Sequence, residues 1–143
     1  MIVSQILKRK GSQVYTVVKK TPIAEVARLL ASKRIGATVV IDQNNSVEGI
    51  ISERDIVSGL SSYGAKVLDM PVEELMTKNA ITRGIESQID ELRLEMTNSR
   101  IRHLPILDDG KLVGLISIGD VVKNRVEELQ AEGDMLREYI LSG

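Results

Sequence analysis

Gly49-Ile50-Ile51-Ser52-Glu53-Arg54-Asp55-Ile56-Val57 returns later in the chain as Gly114-Leu115-Ile116-Ser117-Ile118-Gly119-Asp120-Val121-Val122. Gly, Ser and Asp keep their spacing in both copies, 120 − 55 = 65 positions apart. A repeat decides the fold and the number of candidate sites before anything else. Within each copy an aliphatic run ends on a serine and a carboxylate follows three positions later. That is the pattern of a buried strand handing over to a capped helix.

The duplication extends outward from this corner. Thr21-Pro22-Ile23-Ala24-Glu25-Val26-Ala27-Arg28-Leu29-Leu30 aligns with Ser87-Gln88-Ile89-Asp90-Glu91-Leu92-Arg93-Leu94-Glu95-Met96 at an offset of 87 − 21 = 66. Ile23, Val26, Ala27 and Leu30 form the i, i+3, i+4, i+7 stripe of an amphipathic helix. Thr21 and Ser87 are the expected N-caps, with Pro22 at the first helical position. After each helix come two strands. The first pair is Ala37 to Ile41 and Val47 to Ile51 around a turn at Asn44-Asn45, and the second is His103 to Leu107 and Leu112 to Ser117 around Asp108-Asp109-Gly110. Their nearly unbroken apolar character predicts burial on both faces.

Short strands at Val14 to Val17 and Ala80 to Thr82 precede the two helices. The unit is therefore strand, helix, strand, strand, helix, and the fold class is α/β (α+β). Residues 1–64 make the first repeat with an N-terminal helix, 65–79 a linker with one short helix near Met70 to Met76, and 80–143 the second repeat. From Gly119 to about Leu141 the pattern is helical. Val122, Val126, Leu129, Gly133, Leu136 and Ile140 alternate four and three apart, a short heptad seam. The seam suits either packing on its own domain or pairing with another helix, and Gly133 permits close approach of a second backbone.

Composition narrows the chemistry. The chain has 143 residues, 43% of them apolar, enough for a globular core. Aromatics are 2%, with neither Phe nor Trp, and the formal charge is −1. Stacking platforms and a basic footprint are both missing, so nucleic acid is not the expected partner. There is no cysteine and one histidine, His103. That rules out disulfides, thiolate catalysis and Cys-ligated zinc, as well as a His-pair metal site. No metal and no catalytic residue is expected. No run reaches membrane-spanning length and no signal-peptide core opens the chain, so the expectation is a cytoplasmic protein with no membrane partner and no attached enzyme or transporter domain.

Ser52 and Asp55 can be read as nothing more than a capping box. Against that stand the second copy, the glycine three residues before each serine, and the placement after a buried strand. That placement puts helix N–H groups at the end of a sheet, a natural site for phosphate. A carboxylate beside such a site is a recurring way to hold a ribose diol. No P-loop, activated nucleophile or histidine pair supports catalysis, so the protein is not expected to be an enzyme.

With these motifs the chain resembles a tandem pair of cystathionine β-synthase (CBS) domains, also called a Bateman module. The resemblance runs from Thr16 through Val122. It is strongest to small stand-alone prokaryotic pairs, which share a segment like Ser52-Glu53-Arg54-Asp55 and a second half like Arg100-Ile101-Arg102-His103-Leu104-Pro105 followed by Gly114 to Lys123. It implies two βαββα repeats packed sheet to sheet with pseudo-twofold symmetry, plus the long C-terminal helix. It also implies pairing of two modules into a disc, with that helix as a candidate aid, and regulation of a partner protein that the residues do not name. The implied ligand is an adenosine nucleotide, AMP first, with NAD(H) or ATP as alternatives. A purely structural oligomerisation module is the competing reading.

The resemblance also implies composite clefts. One would use Ser117, Asp120 and Arg102 with Thr16, Ile35, Gly36 and Ala37. The other would use Ser52, Arg54 and Asp55 with Thr82, Ile101, Arg102 and His103. The aspartates would accept from ribose hydroxyls, the threonines would lie by the adenine, and the isoleucines would sandwich it. Lys78, Pro105, Gly119 and Lys123 complete the candidate set, with the cations directed at phosphate. Any one of these cations also suits a solvated surface, and His103 suits a merely structural role equally well. Because Glu53-Arg54 in one copy faces Ile118-Gly119 in the other, the clefts are expected to differ in ligand preference.

Overall fold

In the computed structural model, which describes residues 1–11 and 13–142, the chain opens with α1 (Val3–Lys10), β1 (Thr16–Val17), α2 (Ile23–Lys33), β2 (Ala37–Ile41), β3 (Val47–Ser52) and α3 (Glu53–Tyr63). Two 3-10 turns (Gly64–Asp69 and Val72–Glu74) and β4 (Thr77–Lys78) lead into β5 (Arg83–Gly84), α4 (Ile89–Ser99), β6 (His103–Asp108), β7 (Lys111–Ser117) and α5 (Ile118–Ser142). Two sheets result, ordered β1-β2-β3-β4 and β5-β6-β7. In each the first strand is parallel to the second, and the second and third form an antiparallel hairpin. The βαββα unit is built twice, and each copy owns a core. One core centres on Ile23, Val26, Leu30, Val40, Ile51, Ile56 and Val72, and the other on Ile89, Leu92, Met96, Leu104, Ile106, Ile116 and Val121.

The hairpin strands lie where the residues indicate, and several local expectations are corrected. β2 is buried on both faces over most of its length, but β3 and β7 alternate between buried and half-buried positions. Only the inner strand of each hairpin is covered twice. The short strand before α4 forms at Arg83–Gly84, after the expected Ala80 to Thr82, because its parallel partners are Ile106 and Leu107. Thr21 and Ser87 do not cap. α2 and α4 start from Pro22 and Gln88 without a side-chain cap bond, and the Thr21 hydroxyl instead accepts from the Val18 amide at 3.3 Å. The linker helix is a pair of 3-10 turns.

Each repeat is finished by a segment that precedes the other repeat's first strand. At the start of α2, Pro22 bridges Pro71, with Ile23 N–H donating to Met70 O and Val72 N–H to Thr21 O. At the start of α4, Ile2 bridges Gln88 in the same way, with Ile89 N–H donating to Met1 O and Val3 N–H to Ser87 O. So α1 packs in the second repeat's core, where Val3, Ile6 and Leu7 are buried, and not in that of the repeat it precedes. The glycine of each motif has its reason here. A Cβ on Gly49 would come within 2.7 Å of Met76 Sδ and 2.8 Å of the Thr77 carbonyl, and one on Gly114 within 2.6 Å of Leu7 Cδ2. Only a bare Cα lets the finishing segment cross the strand.

Candidate functional site

The corner between β3 and α3 starts from the cap. The Asp55 amide donates to Ser52 Oγ at 3.2 Å, while the Ser52 amide and hydroxyl donate to Asp55 Oδ2 at 2.9 and 3.0 Å. This is a complete capping box, and it fixes the carboxylate at the sheet end. Asp55 Oδ1 has no hydrogen-bond partner among the described residues. Of the first amides of α3, Glu53's donates to the Gly36 carbonyl at 2.9 Å and Asp55's to Ser52. The amide of Arg54 is left, so the set of free helix N–H groups expected from the sequence is much reduced.

This corner forms one wall of a cleft of about 790 Å3 between the repeats. Gly36, Ile50, Ser52, Glu53, Arg54, Asp55 and Val57 come from the first repeat. Thr77, Asn79, Ala80 and Ile81 come from the chain running between the repeats, and Arg100, Ile101, Arg102 and His103 from the turn between α4 and β6. α4 ends on Arg100 in the left-handed region (φ 54°), as α2 ends on Arg34 (φ 55°). The turn therefore belongs to the repeat and not to one cleft, and it sends the chain sharply from helix to strand entry. Three guanidinium groups outnumber the Glu53 and Asp55 carboxylates, so an anion gains from entering. The size falls within the range of small-molecule sites.

His103 sits where the repeats meet, with Cε1 3.5 Å from the position a Cβ would take on Gly36 and Glu53 close by. Burial lowers its pKa below the ordinary 6.5; Asp120 and Glu53 pull upward, and Lys10 and Arg102 push down. The imidazole is neutral at pH 7 and able to accept or donate on either nitrogen.

At the second corner Ser117 and Asp120 repeat the cap with distances of 2.9, 3.0 and 3.2 Å. Its surroundings differ. Lys10 Nζ lies 2.6 Å from Asp120 Oδ2 and 2.8 Å from the Leu115 carbonyl. Burial would raise the Asp120 pKa, but the hydrogen bonds from Lys10 and Ser117 outweigh it and the value is lowered.

The sequence-derived candidates thus fall into groups. Gly36, Ser52, Arg54, Asp55, Ile101, Arg102 and His103 line the large cleft. Thr82 does not line it, whereas its neighbours Ala80 and Ile81 do. Lys78 is exposed on β4 beside Gly49, and Pro105 is buried in β6 opposite Leu115. On the other side the residues are dispersed. Asp120 and Lys123 line a depression of about 100 Å3, Thr16 a separate groove with Ser4, Leu7 and Asn45, and Ile35 a third with Ala27 and Ile56. Ala37 is buried in β2, and a Cβ added to Gly119 would lie 3.5 Å from Ser117 Oγ, in ordinary contact. Thr77, Asn79, Ala80 and Ile81 were not anticipated as a wall. Lys10 carried no signal, being 110 residues from Asp120 in sequence.

Comparison with known proteins agrees with this construction. A CBS-domain protein of Agrobacterium tumefaciens matches with a TM-score of 0.84 at 43% identity, covering 87% of this chain and 99% of its own. The CBS domain protein PAE2072 of Pyrobaculum aerophilum, solved complexed with AMP, gives 0.75 at 28% identity over 84% of this chain and 89% of its own. The CBS domain pair of protein MJ0100, in complex with 5′-methylthioadenosine and S-adenosyl-L-methionine, gives 0.80 at 25% identity over 90% and 98%. The CBS domain family matches twice, over residues 3–62 and 72–127, once on each repeat. Two such matches on one chain mean that this protein belongs to the CBS domain family, as a tandem pair.

Proposed function

We propose that the protein is a regulatory module that binds an adenosine nucleotide, AMP first, in the cleft between Asp55 and Arg100–His103. The observation that carries this reading is a single 790 Å3 cleft in which a carboxylate with an unoccupied oxygen, beside Arg54, faces a wall bearing Arg100 and Arg102. Asp55 Oδ1 accepts from the ribose hydroxyls, Arg54, Arg100 and Arg102 meet the phosphate, and Ile50, Ile81 and Ile101 flank the base. NAD(H) and ATP fit the same chemistry, with a longer phosphate chain along the arginine side. The ligands of the PAE2072 and MJ0100 domain pairs, all adenosine derivatives, support this class.

Because the walls come from both repeats, a ligand that binds the closed cleft more tightly than the open one shifts the module between the two states. The route outward is self-association. On α5, Val122, Val126, Leu129, Leu136 and Ile140 are all at least half exposed apart from Leu129 at 49%. A second copy of α5 in parallel register covers this seam, and it places Glu132 of each helix beside Arg137 of the other, the flanking positions where ion pairs set orientation. Calorimetric titration with AMP, ATP and NADH tests the ligand assignment; a module that only assembles gives no binding heat.

A further inference from the structure

We propose that Lys10 latches the second of the two pseudo-symmetric clefts, so that the chain takes one nucleotide, at Asp55, until Lys10 is removed or displaced. The inference rests on the nucleotide reading above and specifies its stoichiometry. The two Ser–Asp corners have the same internal distances. The cap geometry therefore does not distinguish them, and beside the exchange of Glu53-Arg54 for Ile118-Gly119 one further difference stands out.

That difference is the ammonium group of Lys10. In the first repeat Ile50 and Asp55 both face the open cleft. Their counterparts, Leu115 and Asp120, are bridged by Lys10 Nζ, which takes the Leu115 carbonyl at 2.8 Å and Asp120 Oδ2 at 2.6 Å. No ion pair engages Asp55 among the described residues. The latch is carried on a fixed arm. Lys10 ends α1, whose Val3, Ile6 and Leu7 are buried in the second core, and Leu7 lies over Gly114. Arg9, one residue earlier, pairs with Glu127 of α5 at 3.1 Å. Little side-chain freedom remains to be lost in holding the contact. The depression that Asp120 lines runs between α1 and α5 and is about 100 Å3, below the few hundred Å3 that small-molecule sites occupy.

Native mass spectrometry with AMP counts the bound molecules per chain for the wild type, Lys10→Met, Asp55→Ala and Lys10→Met/Asp120→Ala. Met keeps the aliphatic stem and removes the charge, so packing of α1 is preserved, and circular dichroism checks the fold of each variant. At an AMP concentration that just saturates the wild type, the latch predicts one AMP for the wild type, a largely empty Asp55→Ala, two for Lys10→Met and one again for the double variant. Two AMP on the wild type overturn it. So does a Lys10→Met protein that binds one AMP or fewer, the result expected if Lys10 were itself a phosphate ligand. If no variant binds AMP, ATP or NADH at all, it is the nucleotide reading that fails, and the latch falls with it.

Discussion

His103 and Asp120 are neighbours in charge, and their opposite chemistries separate two pH windows. The folded-state pKa of His103 is lowered chiefly by burial, so the unfolded chain binds the proton more readily. Its contribution to stability is complete above the unfolded value of about 6.5 and is lost as pH falls through the folded value below it. Asp120 has its folded pKa lowered too, and as a carboxylate its contribution is complete above the ordinary 3.8 and lost as pH drops further. Thermal unfolding followed from pH 8 to 5 is expected to show a falling Tm below about pH 6.5 that His103→Gln removes. An unchanged profile in the variant would mean that His103 is not the titrating group.

At the scale of elements, the glycines explain why the motif has the length it has. Gly49 is crossed by the Met76–Thr77 segment and Gly114 by α1. Alanine at 49 has to displace a backbone carbonyl, whereas alanine at 114 meets only the end of the Leu7 side chain. Overpacking of this kind costs about 1–3 kcal/mol, and Gly49→Ala is expected at the upper end with Gly114→Ala below it. Urea denaturation of the two variants gives the order, and equal midpoints would contradict the crossing geometry. The hairpins, both repeated helices and α5 were legible in the sequence because apolar periodicity reports burial directly. The caps at Ser52 and Ser117 formed as read, whereas those of α2 and α4 were misplaced because a Thr or Ser ahead of a helix looks alike whether or not its side chain reaches back. The identity of the segment that finishes each repeat was not legible at all. Ile2 with Gln88 and Pro22 with Pro71 are contacts of tertiary structure, and nothing local in Met1–Lys10 distinguishes the repeat it precedes from the one it completes. For the same reason the cleft wall at Thr77 and Asn79–Ile81 and the Lys10 contact emerged only from the structure, while Ser52 and Asp55 stood out by their repetition and Arg102–His103 through the family resemblance.

For the whole molecule, α5 is the element the single chain leaves unfinished. Beyond Glu128 every described residue is exposed, about 20 Å of helix at 1.5 Å per residue. Isolated helices of that length are marginal in water, so under the proposed self-association a partner helix would supply the missing stabilisation. Sedimentation velocity is expected to give a dimer for the wild type and a monomer for Leu136→Lys/Ile140→Lys, with Glu132→Arg weakening the dimer and Glu132→Arg/Arg137→Glu restoring it. A wild-type monomer, or a dimer indifferent to the lysines, would remove α5 as the interface. The claim on which the rest depends is that Asp55 holds the ribose of a nucleotide, and calorimetric titration of AMP into the wild type and Asp55→Ala tests it most directly. Hydrogen bonds to a charged group contribute about 1.5–3 kcal/mol each, so the variant is expected to bind AMP roughly tenfold to a hundredfold more weakly or beyond detection. Equal affinity in the two proteins would contradict the assignment.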